Sequence, residues 1–212
     1  MIEQPVLRAP GAGGVPGLVL RPWGEEDVPA LLDAMRDPGM RRWLVTSLET
    51  PAEGLAWVAD QRRTREAGTR FGFAVLESGP EAFGRGGAPA RLVGNAVLKG
   101  LAPGKASAEV GYWTVADARG RGVAARALGA LTDWAFAAFG DTGPRRLDLL
   151  HQAGNLASCR VAEKCGYALD GLLPAFPPDF PEQGHRHVRH HPGASAAGAG
   201  VEDRVDGADA PT

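Results

Sequence analysis

Cysteine is scarce: only Cys159 and Cys165 occur among the 212 residues. They stand six apart, which on one helix puts them on different sides. That spacing argues against a disulfide and points to a reducing, cytoplasmic compartment. No apolar run approaches the roughly 18 residues of a membrane span. The opening MIEQPVLRAPGAGG has neither a basic stretch nor a continuous apolar one, so it does not read as a secretion signal. An excess of one charge is missing too, because 23 Lys and Arg face 25 Asp and Glu, for a net charge of −2. Without a basic field there is no footprint for nucleic acid, and without an acidic excess no solvated tail protein. No internal repeat is visible. No Gly-Lys-Ser/Thr follows a glycine-rich turn, which excludes a Walker phosphate loop.

What is present suffices for one domain with one sizeable core, since 44% of the residues are hydrophobic. Residues 1–16, rich in Gly, Pro and Ala, read as a flexible lead-in. GLVLRPW (17–23) reads as a strand. EEDVPALLDAMRD (25–37) carries acids in its first turn and Val28, Leu31, Leu32 and Met35 at helical spacing. Residues 38–50 read as a loop. TPAE (50–53) is a capping box that starts a second helix, with Leu55, Val58 and Ala59 inward. The period then changes to two in RFGFAVLE (70–77), RLVGNAVLKG (91–100) and SAEVGYWTV (107–115). SGPEAFGRGGAPA (78–90) between the first two is expected to be a mobile hairpin loop. A long helix ending near Phe139 follows, with Val123, Ala127, Leu128, Leu131 and Ala135 as its core stripe. RRLDLLH (145–151) is a strand, NLASCRVAEKCG (155–166) a helix capped by Asn155 and stopped by Gly166, and YALDGLL (167–173) a strand. HRHVRHH (185–191) is a weakly patterned further strand. Residues 192–212 have the composition of a disordered tail. The domain therefore spans 17–191. Its order, β-α-α-β-β-β-α-β-α-β, predicts an α/β fold with a mixed sheet of six to seven strands.

The segment DARGRGVAARAL (117–128) joins a strand to a helix through two glycines. The first N–H groups of a helix have no internal partner, and its dipole favours negative charge there. Glycine lets backbone approach a phosphate, and Arg119 and Arg121 add charge-assisted donors. A plain glycine turn with two solvated arginines is the alternative. Two ligand readings also compete. Gly120-x-Gly122-x-x-Ala125 meets the dinucleotide spacing, with Asp148 on a later strand as the ribose carboxylate. That fingerprint wants its glycine at the end of a buried apolar strand, whereas VADAR intervenes here.

Arg119-x-x-Gly122-x-Ala124 resembles the pyrophosphate-binding pattern, Gln/Arg-x-x-Gly-x-Gly/Ala, of the GNAT superfamily of acyl-CoA-dependent N-acetyltransferases. AEVGYWTV before it resembles that family's fourth strand. NLASCRVAEKCGYALDG after it resembles the family's Asn-x-x-Ser helix and following strand, and LVLRPWGEEDVPALL its opening strand and helix. The resemblance covers residues 17 to 173 in order, and the EVGYW and Asn155/Ser158 forms resemble the RimJ/RimL-like branch.

The resemblance implies a mostly antiparallel sheet flanked by helices and splayed between its fourth and fifth strands. Acetyl-CoA would be the co-substrate, with its pantetheine along the backbone of Trp113, Thr114 and Val115. Its pyrophosphate would rest on the amides of Arg119, Gly120, Arg121, Gly122, Val123 and Ala124. Asn155, otherwise a plain cap, would reach the pantetheine arm. The Trp113 side chain is read as core. Catalysis would be direct attack of an amine on the thioester, without an acyl-enzyme. Glu109, on one strand face with Gly111 and Trp113, is the candidate base; a solvated carboxylate at a strand start is the plain reading. Many family members place a tyrosine acid where this chain has Ala162, so the proton for the thiolate falls to Ser158, to water, or to nothing.

The acceptor implied is a protein N-terminal α-amine or a small-molecule amine, met by residues 38–50, the second helix and 174–191; neither nucleic acid nor membrane is a partner. Monomer and homodimer are both open. Cys159 and Cys165 read as small core residues. His185, His187, His190 and His191 read as a solvated basic segment rather than a metal site, and His151 as a secondary acid/base candidate. An NAD(P)-dependent oxidoreductase and a non-catalytic acyl-CoA-binding protein remain alternatives.

Overall fold

The computed structural model describes residues 5–11, 14–78 and 90–193. The hairpin loop expected at 78–90 and the tail expected at 192–212 lie, apart from their first or last residues, outside the described residues. The period-two stretches form strands, and these make one open sheet in the order β1-β2-β3-β4-β5-β6-β8-β7. The strands are β1 (Leu7–Ala9), β2 (Gly17–Pro22), β3 (Arg70–Ser78), β4 (Arg91–Lys99), β5 (Ser107–Thr114), β6 (Arg146–Gln152), β7 (Ala168–Leu173) and β8 (Gly184–His190). Every neighbouring pair is antiparallel except β5 and β6. Those two are parallel because a helix, α4 (Val123–Phe139), crosses between them.

Eight strands correct the expectation of six to seven. The lead-in contributes β1, whose Leu7 and Ala9 are buried against the core. The Arg126 guanidinium on α4 secures it by donating to the carbonyls of Ala9 (3.2 Å), Pro10 (3.0 Å) and Pro16 (2.8 Å). The weakly patterned HRHVRHH forms β8, which pairs along its whole length with β6 and inserts between β6 and β7.

Helices cover both faces. On one lie α4 and α5 (Leu156–Lys164). The predicted stripe of α4 is buried there, with Phe71, Phe73, Leu147, Leu149 and Tyr167. On the other lie α1 (Val28–Met35), α2 (Pro38–Trp43) and α3 (Pro51–Glu66), around a core of Trp23, Val28, Leu31, Leu32, Val58 and Leu76. A 3-10 turn at Glu25–Asp27 leads into α1. It is pinned by Asp27, whose two oxygens each accept from Arg21 at 2.7 Å. The residues 38–50 thus hold a short helix rather than a loop alone.

α3 begins at the predicted capping box, with Thr50 Oγ1 accepting from Glu53 N and Glu53 Oε2 from Thr50 N. Its buried residues are Gly54, Val58 and Gln61, while Leu55 and Ala59 are exposed, contrary to the expected Leu55, Val58, Ala59 face. Close approach explains the rotation. A Cβ on Gly54 would lie 2.7 Å from Val28 Cγ1, so only glycine lets α3 come this near α1.

The α1–α3 face carries one buried polar contact between side chains of different strands and loops: Trp23 Nε1 donates to Asn95 Oδ1 at 3.0 Å. Trp23 in turn packs edge-on to Trp57 and tilted against Trp113. Asn95→Ala leaves the indole N–H without an acceptor in this core. It is expected to lower unfolding stability by about 2 kcal/mol in urea titration; a change below 0.5 kcal/mol would show that the bond contributes nothing.

Candidate active site

β5 and β6 pair from Ser107/Arg146 to Val110/Leu149 and no further. Beyond that rung β5 stays on β4 to Thr114, and β6 stays on β8 to Gln152. The sheet therefore opens between its two parallel strands. In the sequence numbering of strands these were the fourth and fifth, so the predicted splay is where it was expected.

Ladder parity decides which backbone groups face the opening. Val115 N donates to Val93 O at 3.1 Å. In an antiparallel ladder the bonded residues alternate, so Trp113 and Gly111 turn their N–H and C=O groups toward β4, as Val115 does its N–H, its carbonyl accepting from Ala118 N. Tyr112 and Thr114 turn theirs toward the gap. Of the three residues assigned from sequence, only Thr114 presents backbone there, and Tyr112 was missed. Thr114 Oγ1 is also shut off from solvent without a hydrogen-bond partner among the described residues. The Trp113 side chain packs on the α1–α3 core, as predicted.

The Gly-Arg segment wraps the entrance of α4. Gly120 (φ 74°) and Gly122 (φ 76°) both take the left-handed conformation, and Gly122 is the residue preceding α4. A side chain there would cost roughly 1–2 kcal/mol of strain. The first intrahelical bond runs from Arg126 N to Gly122 O, so the N–H groups of Val123, Ala124 and Ala125 precede it. Both arginine side chains are engaged elsewhere. Arg119 pairs with Asp37 and donates from Nε to Thr114 O, and Arg121 pairs with Glu77, which also holds Arg91. The bare donors of this loop are its backbone amides from Gly120 onward; that of Arg119, also assigned from sequence, donates to Ala116 O at 3.3 Å.

α5 supplies the opposite wall. Asn155 caps it by accepting from Ser158 N at 3.2 Å. Ser158 is buried, and its Oγ lies 2.8 Å from the Tyr112 hydroxyl. Ala162, at the position usual for the family's tyrosine, is fully buried. A phenol thus reaches α5 from β5 instead. Burial pushes the Tyr112 phenol up to about 12, against the opposing hydrogen bond from Ser158. It is a proton donor, not a base, across the physiological range.

Glu109 is not brought to Ser158. It sits in the closed, paired half, level with Asp148, and its Oε1 is 2.8 Å from Lys99 Nζ. Side-chain alternation puts it on the α1–α3 face with Gly111 and Trp113, opposite Tyr112 and Ser158. Asp148, the ribose carboxylate of the dinucleotide reading, is held by Arg146 at 2.7 and 3.1 Å in the same closed half.

α2 spans the open end. Its capping residue Asp37 takes Arg119 from the glycine loop. At its other end Trp43 reaches Gly154, where a Cβ would lie 3.9 Å from the Trp43 ring. Arg42 lies over the Trp43 ring at 4.6 Å. The β7–β8 connection is at this end too, with Ala153 N donating to Gln183 O at 2.8 Å. Of the four histidines read as a solvated segment, His190 is exposed and His191 follows β8, but His185 and His187 are strand residues turned inward: His187 is buried, and both stand with His151 beneath α5. Burial, the largest cause, lowers the His151 imidazole below its usual range.

This architecture is shared with solved acetyltransferases. Mycobacterium smegmatis RimJ in complex with CoA-disulfide superimposes with a TM-score of 0.70 at 18% identity, over 88% of this chain and 86% of that one. The ribosomal-protein-S5-alanine acetyltransferase of Vibrio fischeri gives 0.69 at 16% identity, over 83% and 94%. RimL, a ribosomal L7/L12 α-N-protein acetyltransferase, gives 0.66 at 21% identity, over 82% and 90%. No curated protein sequence is significantly similar to this one. The profile of the acetyltransferase (GNAT) domain matches residues 17–168. By that match, over most of the chain, the protein belongs to the GNAT acetyltransferase family and is an acetyl-CoA-dependent N-acetyltransferase.

Proposed function

We propose that the chain acetylates the α-amino group of a protein or peptide N-terminus through the β5–β6 gap. The observation that carries the reading is the gap itself, with the backbone of Tyr112 and the N–H of Thr114 facing it on one side and the first turn of α5 on the other. The residues fit acetyl-CoA on independent grounds: Thr114 Oγ1 lacks a partner, and the α4 amides lie before the first helical bond. In this reading Thr114 pairs with the pantetheine and the amides of Gly120 to Ala124 take the pyrophosphate. Asn155 keeps its capping bond while facing the thioester arm.

Acetyl-CoA supplies an activated acyl carbon. The amine forms a C–N bond to it, the C–S bond breaks, one proton leaves the amine, and one is needed by the thiolate. Tyr112 and Ser158 form a part-buried donor pair on the α4–α5 face. Glu109, on the opposite face, is the candidate acceptor of the amine proton, through water and in exchange with Lys99. A peptide α-amine, with a pKa near 8, is roughly a tenth neutral at pH 7, against roughly a thousandth for a lysine. The demand on a base is therefore small, which matches a carboxylate at some remove. The mouth suits a peptide: α2 crosses it, and the exposed Phe176 and Phe180 stand on the β7–β8 connection at that end. The likeness in fold to RimL, a ribosomal L7/L12 α-N-protein acetyltransferase, and to the ribosomal-protein-S5-alanine acetyltransferase supports a protein acceptor.

Acetyl-CoA should raise the melting temperature and NAD should leave it unchanged; in a panel scored by CoA release, N-terminal peptides should turn over faster than free lysine. Stabilisation by NAD alone would overturn the reading. Backbone recognition makes the loop variants unequal. Gly122→Val is expected to weaken CoA binding at least 30-fold, and Arg121→Ala less than 5-fold, in calorimetry. Equal losses would show that side-chain charge does the binding. Tyr112→Phe and Ser158→Ala are each expected to lower kcat about 10- to 100-fold with little change in KM for acetyl-CoA, and Glu109→Gln to lower kcat about 10-fold. With the Tyr112 proton held to about 12, kcat should rise with pH as the amine loses its proton and show no descending limb below about pH 10. A bell-shaped profile centred near neutrality would remove the Tyr112–Ser158 pair from the chemistry.

A further inference from the structure

Three strand histidines and one helix cysteine meet beneath the first turn of α5. One ligand atom from each of His151, Cys159, His185 and His187 can be chosen so that all four lie within 4.8 Å of one another. Cys159 Sγ is 3.3 Å from His185 Nδ1 and 3.8 Å from His151 Nε2. The strand register makes the grouping: His151 is opposite His185, and His187 is opposite Leu149, so all three imidazoles leave one face of the sheet. Cys159 comes down on them from α5.

The protonation pattern points the same way. His151 Nδ1 lies 2.8 Å from the Gln152 carbonyl and His187 Nδ1 lies 3.3 Å from the Tyr167 carbonyl. A carbonyl only accepts, so Nδ1 is the donor in both contacts and Nε2 is left as the nitrogen that can ligate; that of His151 already faces Cys159 Sγ. Holding the remote N–H on a carbonyl is how metal-ligating imidazoles are oriented. His187 is 2% exposed, and its Nε2 has no hydrogen-bond partner among the described residues. A buried acceptor in that position is costly unless something fills its lone pair.

We propose that His151, Cys159, His185 and His187 form a binding site for a tetrahedral divalent cation of borderline softness, with Zn2+ as the natural occupant. A mixed imidazole and thiolate set selects such an ion over Mg2+ or Ca2+, which want oxygen ligands. Zn–N of about 2.0 Å and Zn–S of about 2.3 Å require ligand atoms about 3.3–3.6 Å apart. The cysteine–histidine distances of 3.3 and 3.8 Å already bracket that range. Binding replaces the Cys159 thiol proton, so one proton is released per ion. Four protein ligands leave no open coordination position, and the ion holds structure rather than activating water. It ties α5 to β6 and β8 next to Ser158, and so fixes one wall of the gap.

The test uses the untagged full chain, stripped with chelator. Zn2+ titration against a chromophoric competitor should give one equivalent bound more tightly than about 1 μM, with one proton released. Co2+ should give four-coordinate d–d bands and a thiolate charge-transfer band. One equivalent of Zn2+ should raise the melting temperature by about 5 °C or more. Cys159→Ser, folded by circular dichroism, should lose the thiolate band, and His187→Asn should lose at least 100-fold in affinity. Binding weaker than 1 μM, a cobalt spectrum without the thiolate band, or wild-type affinity in either variant would overturn the proposal. None of these readouts depends on turnover, so the acetyltransferase reading stands or falls separately.

Discussion

Backbone hydrogen bonding does not tolerate a half-open sheet in the middle of a domain unless something else takes the freed groups. β5 and β6 hold one another for four rungs and then part, each kept straight by its outer neighbour. The pair is also the one parallel contact in the sheet, made so by the α4 crossover. Everything that matters for the site hangs on this divergence. The helix that forces the strands parallel presents its first amides at the open end, and the next helix, α5, starts from the strand that leads away. A glycine loop, a capped helix turn and two bare stretches of strand are thereby gathered at one place by topology alone.

The opening has two unlike sides. On the α4–α5 face the groups are polar and at least half-buried, with the Tyr112 hydroxyl on Ser158 and the histidines behind them. On the α1–α3 face they are aromatic and charged, with Trp113 against Trp23 and Glu109 on Lys99. β5 lends side chains to both because they alternate.

Much of this was legible in the residues. The α4 stripe, the Asn155 cap, the Gly166 stop and the Thr50–Glu53 capping box each follow from local spacing, and local spacing survives folding. The misreadings have a common origin in partners distant along the chain. β1 is three residues long and is held by Arg126, well over a hundred positions away. β8 carries histidine and arginine where apolar residues are looked for, since its inward face meets imidazoles and a thiol. The face of α3 is set by how closely Gly54 meets Val28. Tyr112 escaped notice because a tyrosine was sought on α5, whereas strand alternation brings one to the same spot from across the gap. The parity of β5 depends on its register with β4, which no local pattern contains.

The order of strands in space is not their order in time. β8, the last described strand to be made, becomes the inner neighbour of both β6 and β7. Until the residues Gly184–His190 emerge, the outer edge of β6 has no strand to lie against, and β7 has no sheet to join. A nascent chain truncated after β7 would expose one wall of the opening as an unprotected edge. The cleft is thus finished late in synthesis, by a strand that contributes imidazoles rather than oily side chains to its closure.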